Sequence, residues 1–111
     1  MPAPVAIKYL EFLAHCDQVL SKHKLSTTEF KILRIVTQKA LCGETLWVQN
    51  LLDMKEVASA ATIHKEMKKL IKKRLLRFDL DKTDDRVKYL VPTAAAVAMF
   101  DEFGKQLRHQ H

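Results

Sequence analysis

Glycine is nearly absent from this chain, with Gly43 and Gly104 the two examples in 111 residues. With 48% of the residues apolar, that scarcity argues against an all-β fold or a disordered tail. It favours one compact, helix-rich domain with a modest core. There is also no glycine-rich phosphate loop, no HExxH-type metal pair and no nucleophile elbow. His15, His23, His64, His109 and His111 share no metal-ligand spacing, and the terminal His109-Gln110-His111 reads as a frayed end. Neither catalysis nor a metal or other cofactor is expected. Cysteine is equally scarce: Cys16 and Cys42 lack ligand spacing and lie in apolar surroundings, so buried free thiols in a reducing cytosol are expected rather than a disulfide. No apolar run approaches the roughly 20 residues that span a bilayer. The start, MPAPVAIKYLEFL, lacks a basic n-region and is broken by Glu11. No signal peptide and no membrane association are expected, which places the chain in the cytoplasm.

Acid is missing from one stretch in particular. Residues 59–77 hold Lys65, Lys68, Lys69, Lys72, Lys73, Arg74 and Arg77 against Glu66 alone, a net charge of +6. The whole chain is also +6, so everything else is neutral. Charge concentrated in this way on one helix and its exit is the footprint of an element facing a polyanion.

In chain order, Val5, Tyr9, Phe12, Leu13, Cys16 and Leu20 recur at spacings of three and four, which predicts an amphipathic helix over 5–21. His15 and His23 read as solvated side chains near its polar side. Ser26 followed by Glu29 fits a capping box, Phe30, Leu33, Val36 and Ala40 mark a core stripe, and Gly43 is a stop, so a second helix is expected over about 27–41. The segment ETLWVQNLLDMKEV reads as a third, shorter helix, with Leu46, Val48, Leu51, Leu52 and Met54 on its apolar side. Trp47 could stack on a base, although a lone tryptophan in a small domain is more often a core or interface anchor.

Ser59 can cap the basic helix, expected over about 60–74, with Thr62 at its third position. At about 100° per residue, Ile63, Met67, Leu70 and Ile71 share one face, while Ala61, Lys65, Lys68, Lys69 and Lys72 fall roughly opposite. Small Ala60, Ala61 and Thr62 would let the helix end approach a groove closely, and the lysines further along could reach phosphates. A merely solvated helix normally intersperses acids among its lysines. With Glu66 the one interruption, the face reads as functional.

The period then changes. Leu76, Phe78 and Leu80 alternate on one side, and Val87, Tyr89 and Val91 follow, about a polar tip DKTDDR. This predicts a small β-hairpin over about 76–91 in an otherwise mostly α protein. Lys82, Arg86 and Lys88 alternate with Asp81, Asp84 and Asp85. Arg86 could enter a minor groove or pair with an aspartate that shapes the hairpin, and spacing alone leaves both open. Thr93 is a candidate cap for a last helix over 93–108 carrying Val97, Phe100, Phe103 and Leu107, with Gly104 a weak point inside it.

The order helix–helix–helix–helix–hairpin–helix is that of a winged helix-turn-helix domain, here 26–92 with N- and C-terminal helices flanking it. The second half resembles the MarR family of bacterial transcription regulators. The resemblance covers residues 25–95. It rests on the capped opening Leu25-Ser26-Thr27, the short helix Leu46-Trp47-Val48-Gln49-Asn50-Leu51-Leu52, and the recognition-helix pattern Ser59-Ala60-Ala61-Thr62-Ile63-His64-Lys65. The helix end Leu70-Ile71-Lys72-Lys73-Arg74-Leu75-Leu76-Arg77 and the wing from Asp81 to Thr93 complete it. Thr83 replaces the first wing arginine, Arg74 stands where the family usually has glycine, and Pro92 replaces the leucine before threonine.

The resemblance implies sequence-specific binding of double-stranded DNA and regulation of transcription. Ala61, Thr62, His64 and Lys65 would read bases in the major groove, from a helix capped by Ser59. Lys68, Lys69 and Lys72 would contact phosphates, with Arg86 and Lys88 on the wing at the adjacent minor groove. It implies a homodimer through residues 5–21 and 94–108, and it leaves open a small-molecule effector and a redox role for Cys16. The other readings are a winged-helix module for an acidic protein partner and a non-specific architectural DNA binder.

Overall fold

The computed structural model describes residues 4–109; Gln110 and His111, the last two residues of the expected frayed end, lie outside the described residues. The elements are α1 (Pro4–Lys22), α2 (Thr27–Leu41), β1 (Leu46–Trp47), α3 (Val48–Leu52), α4 (Ala60–Lys72), β2 (Leu76–Leu80), β3 (Lys88–Pro92) and α5 (Ala94–His109). The chain is mostly helical with one small antiparallel sheet of order β1-β3-β2. Two compact units are present, one running from Ser26 to Val97 and one formed by the residues before and after it. Among the described residues no helix is long and apolar enough to cross a membrane.

In the unit from Ser26 to Val97, α2 starts where the sequence says it should. Ser26 Oγ accepts from the Glu29 amide and the Glu29 carboxylate accepts from the Ser26 amide, each at 3.1 Å, so two otherwise orphaned N–H groups are satisfied reciprocally. Its end uses the Gly43 backbone at φ +78°, with the Gly43 amide bonded to Ala40 O and the Glu44 amide to Lys39 O. That crossed pair is a Schellman cap, which needs the left-handed conformation glycine adopts without penalty. Ile32, Leu33 and Val36 of α2, Leu51 of α3 and Ile63, Met67 and Leu70 of α4 are buried with Leu46, Leu76 and Leu90 of the three strands. Burial of each such side chain stabilises the fold by about 1.5–3 kcal/mol. Phe30 and Ala40, expected in the stripe, are only half-buried; Ile32 and Thr37 are buried in addition.

Three expectations need correction. Leu46 and Trp47 do not open the third helix but form β1, pairing with Leu90 and Tyr89, so the sheet has three strands rather than a bare hairpin. The inward residue of β3 is Leu90, not the Val87-Tyr89-Val91 series. The register opposes Leu76 to Pro92, Phe78 to Leu90 and Leu80 to Lys88, which puts Tyr89 and Val91 on the other face with Trp47. Trp47 itself is no core anchor: it is 44% exposed and meets the Tyr89 ring edge-on, centroids 5.9 Å apart. Cys42, expected to be buried, is exposed at the C-cap of α2, one position past the helix's apolar stripe.

In the other unit, Val19, Met99 and Phe103 are buried, and the Phe100 and Phe103 rings lie 5.9 Å apart. Val5, Ile7, Tyr9, Leu10 and Leu13 of α1 and Leu107 of α5 are exposed. His15 is half-buried rather than solvated, its Nε2 lacking a hydrogen-bond partner among the described residues. Burial and the neighbouring Asp17 push the half-buried Cys16 thiol up, away from the thiolate that redox chemistry requires.

Candidate nucleic-acid interface

Ser59 Oγ accepts from the Thr62 amide at 3.2 Å and donates to Thr62 Oγ1 at 3.0 Å, so the cap of α4 forms as expected. Ile63, Glu66, Met67 and Leu70 are the helix's buried residues. On the opposite side Ala61, Lys65, Lys68 and Lys72 lie within an arc of roughly 60° at 100° per residue, and all four are exposed. Among the described residues none of these three lysines has an acid partner within ion-pair distance. Thr62 and His64 are exposed at the two edges of this arc. The helix end is therefore small and polar, and the cations follow it.

The remaining cations are engaged. Lys69 Nζ lies 3.4 Å from Glu66 Oε1, whose other oxygen is buried without a hydrogen bond among the described residues. Lys73 Nζ lies 2.7 Å from Glu29 Oε2 across 44 positions of sequence, and Arg77 pairs with Asp79. Burial pushes the Glu29 carboxyl up, but the Lys73 ammonium and the Ser26 amide and hydroxyl more than reverse it, leaving its pKa below the ordinary value.

Helix α4 ends earlier than expected, with Lys73 as its cap and Arg74 at φ +61°. The Arg74 amide bonds to Ile71 O and the Leu75 amide to Leu70 O, the same Schellman geometry that Gly43 makes after α2. Arg74 thus occupies a left-handed position, consistent with its standing where glycine was expected. The conformation costs a residue with a Cβ about 1 kcal/mol. Arg74→Gly should accordingly raise stability by about 1 kcal/mol and Tm by about 4 °C. An unchanged or lower midpoint in thermal unfolding would refute this account of the turn.

The wing is organised by a residue that spacing did not single out. Asp81 Oδ2 accepts from Thr83 Oγ1 at 2.7 Å, the Thr83 amide at 3.1 Å and the Asp84 amide at 3.0 Å, while Oδ1 accepts from the Tyr89 hydroxyl at 2.7 Å. These bonds, the one from Thr83 Oγ1 foremost, hold the Asp81 carboxyl down to about 2, and the same contact raises the Tyr89 phenol. The signal available in the sequence was the Asp-x-Thr spacing of an Asx turn. Arg86 does what both readings asked of it. Its Nε and Nη2 bond to the two Asp84 oxygens at 3.0 and 3.3 Å, yet its side chain is 88% exposed and keeps three of the five donors of a guanidinium free of Asp84. Lys88 Nζ sits 5.3 Å from the centre of the Phe78 ring, a cation–π contact that orients the ammonium.

Asp81 has a folded-state pKa below its unfolded one, so its contribution is present above about pH 4 and lost as pH falls toward about 2. Tyr89 is raised, so its contribution holds below pH 10 and is lost as pH rises through the raised value. The Thr83 and Asp84 amide resonances should therefore stay constant between these limits and move together in acid. Asp81→Asn should abolish that acid transition; its persistence in the variant would show that another group latches the wing.

At the level of sequence, no family model and no curated protein matches the chain. Structure comparison gives a different result. The DNA complex of MepR from S. aureus superposes with a TM-score of 0.71 at 16% identity, over 95% of this chain and 82% of that one. This is the winged-helix fold of the MarR-type regulators. MarR itself matches with a TM-score of 0.65 at 12% identity, over 96% of this chain and 74% of that one. The adhesin competence repressor AdcR of Streptococcus pyogenes matches at 25% identity with a TM-score of 0.56, over 94% and 74% of the two chains. In MarR-type terms α4 is the recognition helix and the β2–β3 hairpin is the wing.

Proposed function

We propose that this chain is a sequence-specific double-stranded DNA-binding transcription regulator of the MarR type, acting in the cytoplasm as a homodimer. The observation that carries the reading is the face of α4 directly opposite the core, where Lys65, Lys68 and Lys72 are exposed with no acid partner among the described residues. The α4 N-terminus enters the major groove, where Ala61, Thr62, His64 and Lys65 meet base edges. Lys68, Lys69 and Lys72 meet phosphates, and Arg86 and Lys88 bring the wing to the adjacent minor groove. Lys69 contributes less than the other two because Glu66 already holds it. The exposed apolar residues of α1, with Leu107 of α5, supply the surface for a second copy.

The test is selection of bound duplexes from a random library, with the mass of the complex measured alongside. An inverted repeat bound by two chains, its half-sites about one helical turn apart, is the expected result. Binding without enrichment would replace the reading by that of an architectural protein, and no binding at low salt would overturn it in favour of a protein-partner module.

A further inference from the structure

We infer that Glu29 and Lys73 are positioning residues for base reading: their ion pair sets the angle of α4 against α2, and Lys73 does not serve as a phosphate contact. The inference rests on the DNA-binding reading above and adds to it which residues decide specificity. The Glu29 carboxylate has both oxygens committed, one to the Ser26 amide at 3.1 Å and the other to Lys73 Nζ at 2.7 Å. One side chain thus fixes the start of α2 to the end of α4. Glu29 is only 3% exposed, so the pair is shielded from solvent screening on its acidic side.

The location matters more than the strength. All the anchoring found at the ends of α4 is on the C-terminal side. The Schellman turn at Arg74, the bond from Thr93 Oγ1 to Arg74 O at 2.7 Å and the Lys73–Glu29 pair all lie there. At the other end Ser59 satisfies the helix's own amide and is exposed. The 13 residues of α4 make a lever of about 20 Å at 1.5 Å per residue. A tilt of about 5° at the anchored end moves the base-reading end by nearly 2 Å. Base-edge hydrogen bonds tolerate far less than that. Lysines on phosphates follow such a shift by changing rotamer. Loss of the pair should therefore degrade discrimination while leaving electrostatic attachment in place.

The variant Glu29→Gln/Lys73→Met separates these effects. Glutamine at this position still completes the capping box, and methionine removes the cation without leaving a buried charge behind. The probes are the duplex enriched by the wild-type chain and a scrambled duplex of the same length, with circular dichroism and Tm as controls on folding. The expected result is a fall of about tenfold in the ratio of the two affinities, with the slope of log affinity against log salt unchanged. An unchanged ratio in a folded variant would overturn the inference, as would a slope smaller by about 0.9, the signature of one lost phosphate contact. If the double variant does not fold, Glu29→Gln alone, which keeps the cap and Lys73, is read against the same two outcomes. A wild-type chain that enriches no duplex would refute the DNA reading itself, a result visible before any variant is made.

Discussion

Lys65→Ala/Lys68→Ala should bind the selected duplex at least a hundredfold more weakly than the wild-type chain near 0.15 M salt, with Tm and helix content unchanged. Both side chains are exposed on the arc opposite the core, so truncating them disturbs no packing. Neither has an acid partner among the described residues, so no internal ion pair opposes their transfer to DNA. Each phosphate neutralised contributes about 0.9 to the salt slope, and a good base contact contributes about 1–3 kcal/mol, with 1.4 kcal/mol equal to tenfold in affinity. Lys65, nearer the N-terminus, should carry more of the discrimination; Lys68 should carry more of the slope. Fluorescence anisotropy over a salt series measures both. Affinity and slope equal to wild type at moderate salt would mean that this face of α4 does not meet DNA.

Local chemistry was the legible part of this chain. Ser26 with Glu29, Ser59 with Thr62, and Thr93 each act within a few residues, and all three caps form where the spacing places them. The helical period of α4 likewise separates Ile63, Met67 and Leu70 from the lysines without reference to the rest of the fold. What could not be read depends on partners distant in sequence. A strand of two residues has no period to detect, so β1 exists only through its pairing with β3. That same pairing buries Leu90 against the expected alternation, because register follows from the hairpin loop and not from the strand's own pattern. Charge counting failed in a related way. The basic stretch stands at +6 on paper, but Glu29 neutralises Lys73 from 44 positions away, and Asp79 folds back on Arg77 from just beyond the stretch. The field presented outward is narrower than the count, concentrated on Lys65, Lys68 and Lys72. That narrowing sharpens the candidate site.

Glu29→Ala should cost about 3 kcal/mol, among the largest losses available from one surface-compatible substitution in this fold. Alanine removes the carboxylate that accepts from the Ser26 amide, and losing half of a capping box costs about 1 kcal/mol. It also strands Lys73, whose side chain is 31% exposed. Breaking a fully buried pair costs about 3–5 kcal/mol, but a partly solvated ammonium recovers much of that from water, so about 2 kcal/mol is the appropriate share. Against a total stability of about 5–15 kcal/mol the sum is substantial, and for a chain of this length it lowers Tm by about 12 °C. Glu29→Gln should lose less than half as much, because the amide keeps the cap and forfeits only the charge. The pH dependence supplies an independent check. The folded-state pKa of Glu29 is lowered, so its contribution is complete above the ordinary glutamate value and lost as pH falls through the folded one. The gap between wild type and Glu29→Gln should therefore be widest near neutrality and close in acid. A gap that persisted unchanged below pH 3 would assign the stabilisation to packing of the side chain and not to its charge.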